Sequence, residues 1–253
     1  MIKDIAGVMT SYFESIFTTG ECDRMDDCLH IVQQKMAEDM LDVLSSEYCA
    51  KEIKAALFQI GPTKTLGPNG MNVLFYQNFW HIVGVDVIVV VLDILNFGTM
   101  LPKINYTHIV RIPKIKSPKR ISDYRSINLC NVIYKIIYKL LGNRLKLILP
   151  RLISSNQSAF VPGQLITNNV LVAYETFHSM HCKRTGRKGS MARKVDISKA
   201  YDRVEWPFLK GTMSRLGLLE GWVDKVMSCV TTPSFSTCIN RKAYGIILPS
   251  RGF

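Results

Sequence analysis

Between Asn131 and Ile153 the chain reads NVIYKIIYKLLGNRLKLILPRLI. Ile133, Ile136, Ile137, Leu140, Leu141 and Leu145 recur at the spacing of one face of an α-helix. Lys135, Lys139, Arg144 and Lys146 fall mostly on the other side. A helix this long has to bury its apolar stripe against other elements. The chain must therefore build a layered core on one side of this helix, with a row of cations on the other.

Charge is distributed unevenly along the rest of the sequence. Of 253 residues, 32 are basic and 20 acidic, a formal net charge of +12. Met1 to Leu101 carries 6 basic and 13 acidic residues. Pro102 to Ile153 carries 12 basic residues and one acid, Asp123, and Ser154 to Phe253 carries 14 against 6. An acidic first part followed by a basic remainder fits a surface for a polyanion, most often nucleic acid. The same excess also fits a solvated basic face without a partner.

The seven cysteines, at 22, 28, 49, 130, 182, 229 and 238, are odd in number and scattered. None forms a Cys-x-x-Cys pair and no His completes a zinc-finger pattern, so free thiols in a reducing, intracellular compartment are expected. The N-terminus lacks an apolar run of secretory type. The most apolar stretch, IVGVDVIVVVLDIL at 82–95, holds Asp86 and Asp93. It reads as a buried helix or strand, too short and too polar to span a bilayer, and no membrane partner is expected.

Helical spacing recurs over 1–18, 31–46 and 50–59, the last with Ile53, Ala56, Leu57 and Ile60 on one face. GPTKTLGPNG, 61–70, is the densest turn signal in the chain. LFYQNFW, 74–80, predicts a helix. HIVRIPKIKSP, 108–118, predicts a strand, with Pro113 at an edge or an end. Residues 156–180 read as a loop into a helix, and CKRTGRKGS, 182–190, as a basic turn. MARKVDI, 191–197, predicts a strand, and YDRVEWPFLKGTMSRLGL opens a helix. FSTCIN and AYGIILP predict a hairpin turning at Arg241 and Lys242. Long helices with short strands threaded between them make an α+β pattern.

The stretch KVDISKAYDRVEW, 194–206, carries the chemistry. In a strand, Val195 and Ile197 point one way and Lys194 and Asp196 the other. Asp196 then presents its carboxylate near a strand end, to a metal or to a neighbouring lysine. Asp202 falls in the first turn of the following helix, where dipole and capping favour a carboxylate.

Several blocks together resemble the reverse transcriptase of non-LTR, LINE-type retrotransposons, especially those of plants. They are GPTKTLGPNGMNVLFYQNFW, HIVRIPKIKSPKRISDYRSINLCNVIYKII, SNQSAFVPGQLITNNVLVAYE, KVDISKAYDRVEW, and PSFSTCIN with AYGIILPSRG. They stand in the family's order over nearly the whole chain. The resemblance implies a partial right-hand polymerase fold, with helix-rich fingers and an incomplete antiparallel palm sheet. Residues 1–60 would form a helical N-terminal region, 61–190 the fingers, and 191–253 part of the palm. Asp196 would bind magnesium with the main-chain carbonyl of Ile197. Tyr201 would lie under the sugar of the incoming nucleotide, or be a core aromatic. Arg125 and Lys114 would meet the triphosphate, or belong to a solvated basic face. Gln157 and Phe160 would line the template and nucleotide pocket, or serve loop and packing roles. The long basic helix would face the nucleic-acid backbone. Implied partners are an RNA template, a DNA primer and deoxynucleotides, with Mg2+ as cofactor.

The sequence departs from the family pattern in places. It stops at PSRGF, where the family continues into a Gln-Gly-Asp-Pro element and later a Tyr-x-Asp-Asp turn. Asn69, Ser126, Gln164 and Asn168 stand where the family has Asp, Pro, a basic residue and Asp. Arg193 stands on the face shared by Val195 and Ile197, where an apolar residue is usual. The resemblance therefore implies a polymerase fragment inactive alone, since catalytic carboxylates act as a unit. Two alternatives stay open: a non-catalytic nucleic-acid-binding remnant, and a non-functional product of a decayed element. Nuclear and cytoplasmic location are not distinguished.

Overall fold

The computed structural model describes residues 2–20, 23–98, 100–154, 156–157, 161, 163, 165–183 and 189–252. Helices come first: α1 (Ile2–Phe17), α2 (Met25–Leu29), α3 (Glu38–Ser45), α4 (Ala50–Gln59), α5 (Val73–Asn78) and α6 (Trp80–Phe97). Strands β1 (Tyr106–Pro113) and β2 (Tyr124–Leu129) precede α7 (Val132–Leu152) and α8 (Ile166–Cys182). Then follow α9 (Trp206–Leu216), α10 (Glu220–Thr231), β3 (Ser234–Ile239) and β4 (Lys242–Ile247). This is the α+β class the sequence predicts.

The long helix starts where its cap is written. Asn131 Oδ1 accepts the Ile133 N–H at 2.9 Å, satisfying one of the unpaired first-turn donors. Val132, Ile136, Ile137, Leu140, Leu141, Ile148 and Leu152 of α7 are buried. They pack with Ile53 and Leu57 of α4, Val87, Val91 and Leu95 of α6, and Trp222 and Val223 of α10 into the larger core. Ile133 and Leu145 sit at its rim, half-buried.

Arg144 corrects the expected basic face, for it lies inside this core at 5 % exposure. Its guanidinium donates to the Ser46 carbonyl, to the Glu47 carbonyl at 2.9 Å, and to both Glu52 oxygens at 3.2 and 2.9 Å. It also stacks 3.6 Å from the Tyr48 ring centroid. A buried cation is tolerated only when its donors are filled in this way.

Helix α6 is longer than the apolar run suggests, at 18 residues. Gly84, Val87, Val91, Ile94 and Leu95 make its buried face, and Ile82, Val85 and Val89 are exposed. By length and composition it is the one described helix that could cross a membrane, and its inner face belongs to the larger core.

The sheet has the order β2-β1-β3-β4. β1 pairs antiparallel with β2 (Val110↔Ile127) and parallel with β3 (Thr107↔Phe235), and β3 pairs antiparallel with β4. The sheet is thus mixed, where the sequence implied an antiparallel one. The predicted hairpin of β3 and β4 is present, and its turn lies at Asn240 and Arg241, with φ of 49° and 66°. Two successive positive φ values match the twist of flanking strands, and Asn tolerates them well. α1 closes one face of the sheet through Phe13, Ile16 and Phe17 against Ile109, Phe235 and Ile247, a second and smaller core.

The strand expected over 191–197 does not form. Residues 189–197 have no regular structure and are exposed, Val195 at 71 % and Ile197 at 64 %. Alternation states which side chains would share a face, but a strand also needs a ladder partner for its backbone. Among the described strands, none pairs with this segment. Asp202 lies in a 3₁₀ turn, Tyr201–Arg203, ahead of α9, and its carboxylate is 3.4 Å from Lys199 Nζ. The N-cap of α9 is Glu205.

Candidate nucleic-acid interface

The sheet has two unlike faces. Cross-strand partners project to the same side, so the register Ile112↔Arg125 and Arg111↔Ser126 separates the two arginines. Arg111 shares the α1 side with Ile109. Its guanidinium lies 5.3 Å from the Tyr12 ring centroid, 4.8 Å from Phe13 and 6.0 Å from Tyr124. Its Nη1 donates to the Ile121 carbonyl at 3.4 Å, and Nε and Nη2 are buried without a hydrogen-bond partner. Burial pulls its pKa below the usual arginine value. Arg125 points to the side α1 leaves open and is exposed.

Lys114 follows β1 on the same hairpin. Its N–H donates to the Asp123 carbonyl at 2.8 Å and its Nζ to the Ser122 carbonyl at 2.9 Å. Lys116, Lys119 and Arg120 are exposed in the connection. Asp123 is the local acid, and its carboxylate folds the tip by accepting the N–H groups of Arg120 at 2.8 Å and Lys119 at 3.0 Å. Those backbone bonds hold its pKa below the ordinary aspartate value. The structure thus gathers Lys114 and Arg125 with three further cations on one hairpin, the electrostatic footprint of a phosphate-binding surface.

The α7 cations are more committed than the sequence implies. Arg144 is in the core, Lys135 Nζ donates to the Thr65 carbonyl at 2.5 Å, and Arg151 pairs with Asp39 at 2.5 Å. Lys139 is half-exposed and Lys146 exposed. The contact of Lys135 draws the 61–70 loop onto the start of α7. There a Cβ on Gly67 would lie 3.2 Å from the Cys130 carbonyl oxygen and 3.1 Å from Asn131 Cα. This close approach of two backbones explains the glycine.

Asp196, Ile197 and Tyr201 form a separate group. Asp196 and Ile197 lie in the irregular segment, and Tyr201 opens the 3₁₀ turn at 55 % exposure. The stretch after it is latched to both chain ends. Glu205 accepts from Thr19 Oγ1 at 2.5 Å and from Arg251 Nη1 at 3.1 Å, and Arg251 Nε donates to the Ile16 carbonyl at 2.8 Å. Burial pushes the Glu205 carboxyl up, but the bonds from Thr19, Arg251 and the Gly20 N–H outweigh it and lower the pKa. Gly252 donates to the Val204 carbonyl at 2.8 Å, with φ +80° and Asp202 too close to admit a Cβ. This latch was not read from the sequence, because its members lie at opposite ends of the chain.

Gln157 is exposed in a short turn, its N–H on the Ser154 carbonyl at 2.9 Å. Phe160 lies outside the described residues. Magnesium takes hard oxygen ligands, and a two-ion site needs at least two carboxylates. Among the described residues no group of three or more His, Cys, Asp or Glu side chains could hold a metal ion. Asp196 with one carbonyl does not fit such a site, and no catalytic step follows from this donor set.

Residues 112–248, more than half of the chain, match the sequence profile of the family described as reverse transcriptase (RNA-dependent DNA polymerase). The chain belongs to the reverse transcriptase family. It is also similar to the transposon TX1 uncharacterized 149 kDa protein of Xenopus laevis, at 27 % identity over 208 residues. That alignment covers 80 % of this chain and 15 % of the Xenopus protein, so the chain spans a small part of that relative's length. The reverse transcriptase match begins at Ile112, near the end of β1, and runs past β4. It includes the basic hairpin, α7 to α10, Asp196 and the latch residue Glu205. α1 lies ahead of the match and closes the sheet beneath the hairpin.

Proposed function

We propose that this chain is the fingers and first palm portion of an RNA-directed DNA polymerase from a non-LTR retrotransposon of the LINE type. The family membership and the five exposed cations of the β1–β2 hairpin support this reading. The quoted sequence blocks favour the plant branch of such elements. In this reading the open side of the hairpin takes an RNA template paired to a DNA primer. Arg125 and Lys114 meet the triphosphate of a deoxynucleotide, with Tyr201, Gln157 and Phe160 around its sugar and the template base. Asp196 and the Ile197 carbonyl are the part of a magnesium site that this chain carries. The chain alone holds nucleic acid and does not polymerise.

Two measurements test this together. The first is anisotropy of a labelled RNA–DNA duplex across a salt series, where affinity should fall steeply with salt and show little sequence preference. The second is primer extension with magnesium, using Asp196→Ala as control. Duplex binding without incorporation is the expected outcome. Incorporation that vanishes in Asp196→Ala would refute the inactivity, and salt-insensitive or absent binding would refute the binding role.

A further inference from the structure

Helix α6 has an outer side that the rest of the fold leaves uncovered. Ile82, Val85 and Val89 follow at i, i+3 and i+7 and so share one side of the helix. They are 64, 72 and 60 % exposed. Asp86 lies one turn on from Ile82, Asp93 one turn on from Val89 and Phe97 one turn on from Asp93, and all three are exposed. Among the described residues neither aspartate has an ion-pair partner. α6 contains no Lys or Arg. It belongs to the acidic part of the chain, Met1 to Leu101, with 13 acids against 6 bases.

An apolar stripe edged by unpaired acids fits one kind of occupant. Scattered single apolar residues are ordinary on a protein surface, but here they follow one side of a helix for about 22 Å, from Ile82 to Phe97. We propose that the outer side of α6 docks a helix of a protein partner whose own apolar stripe is bordered by Lys or Arg. Contact with Ile82, Val85 and Val89 supplies the apolar burial. Cations beside the partner's stripe pair with Asp86 and Asp93 and fix its register. A second copy of α6 fits worse, because it sets aspartates against aspartates. A bilayer surface also fits worse, because the helices that lie on one carry Lys and Arg on their polar face, and α6 carries neither. The same acids repel nucleic acid. α6 lies ahead of the reverse transcriptase match, so this surface is separate from the basic hairpin.

The full chain and a fluorescein-labelled synthetic helix of 18 residues, the length of α6, test the surface. The peptide carries Leu at its a and d positions and Lys at e and g, and a control peptide carries Glu at e and g. Anisotropy should show the lysine peptide binding and the glutamate peptide failing to bind. Asp86→Asn with Asp93→Asn should weaken the lysine peptide about fivefold and flatten its salt dependence. Val85→Gln with Val89→Gln should weaken it about tenfold at every salt concentration. All four positions are exposed and glutamine is a good helix former, so circular dichroism should show both double variants folded. No binding, equal binding of the two peptides, or unchanged affinity in either double variant would overturn the proposal. Self-association, or binding to phosphatidylglycerol vesicles, that is lost in Val85→Gln with Val89→Gln would also overturn it, by assigning the surface to a second copy or to a membrane.

Discussion

Replacing Arg144 by methionine tests whether one buried fork joins α7 to the segment between α3 and α4. Methionine keeps an apolar stem in the core and removes the guanidinium. Four hydrogen bonds disappear, to Ser46, to Glu47 and two to Glu52, along with the stacking on Tyr48. Removing one partner of a buried ion pair costs about 3–5 kcal/mol when the other is stranded. Glu52 is 36 % exposed and recovers some hydration, which places the expected loss near the lower end, at about 3 kcal/mol. For a domain of this size that lowers Tm by about 6–12 °C. Urea and thermal unfolding followed by circular dichroism would read it. Arg144→Lys keeps the charge but has no planar fork, so it should lose most of the same stability. A loss under about 1 kcal/mol in Arg144→Met, or full stability in Arg144→Lys, would refute the fork as the cause.

The partner carboxylate gives a pH signature. Burial pushes Glu52 up, but the bonds from Arg144 and the Cys49 N–H outweigh it, so its folded pKa is depressed. Its contribution is present above the unfolded-state pKa and lost as pH falls through the folded one. Urea midpoints taken from about pH 6 to pH 3 should fall less steeply in Glu52→Gln than in the wild type. Phe17 is 4 % exposed and stacked between Phe13 and Phe235, so Phe17→Ala should cost about 3–5 kcal/mol and open α1 to limited proteolysis. Arg125→Ala should leave Tm unchanged and reduce the salt slope of duplex binding by about 1, and an unchanged slope would remove Arg125 from the interface.

What was legible in the sequence was local. The start of α7 follows from Asn131 and the apolar spacing after it, and the β3–β4 hairpin follows from two β-rich runs around a short turn. The parallel pairing of Tyr106 with Ser234 left no local trace, because it joins strands separated by four helices. The strand expected at 191–197 shows the converse. Its alternation is real, yet alternation supplies no ladder partner. Among the site residues, Arg125 and Lys114 were singled out by the family resemblance alone, because only the first strand of their hairpin was predicted and its partner β2 was not. The Glu205–Arg251–Thr19 latch was not legible, because its geometry depends on both ends of the chain.

Arg144 also changes what the charge map means. In the sequence the acidic first part and the basic α7 stand apart. In the fold they meet, for Glu52 takes Arg144 and Asp39 takes Arg151. The exposed Asp39–Arg151 pair adds little stability, but it offsets a cation that a phosphate would otherwise meet. Lys135 is likewise turned to the Thr65 carbonyl. Much of the positive charge on α7 is therefore spent on assembling the helical core. The hairpin cations have one acid among them, and that acid is occupied by backbone N–H groups. Of these two groups of cations, those of the β1–β2 hairpin are thus the freer to meet a phosphate. Neutralising Lys116, Lys119 and Arg120 together should accordingly weaken duplex binding more than neutralising Lys139 and Lys146 on α7, and the reverse order would return the interface to the helix.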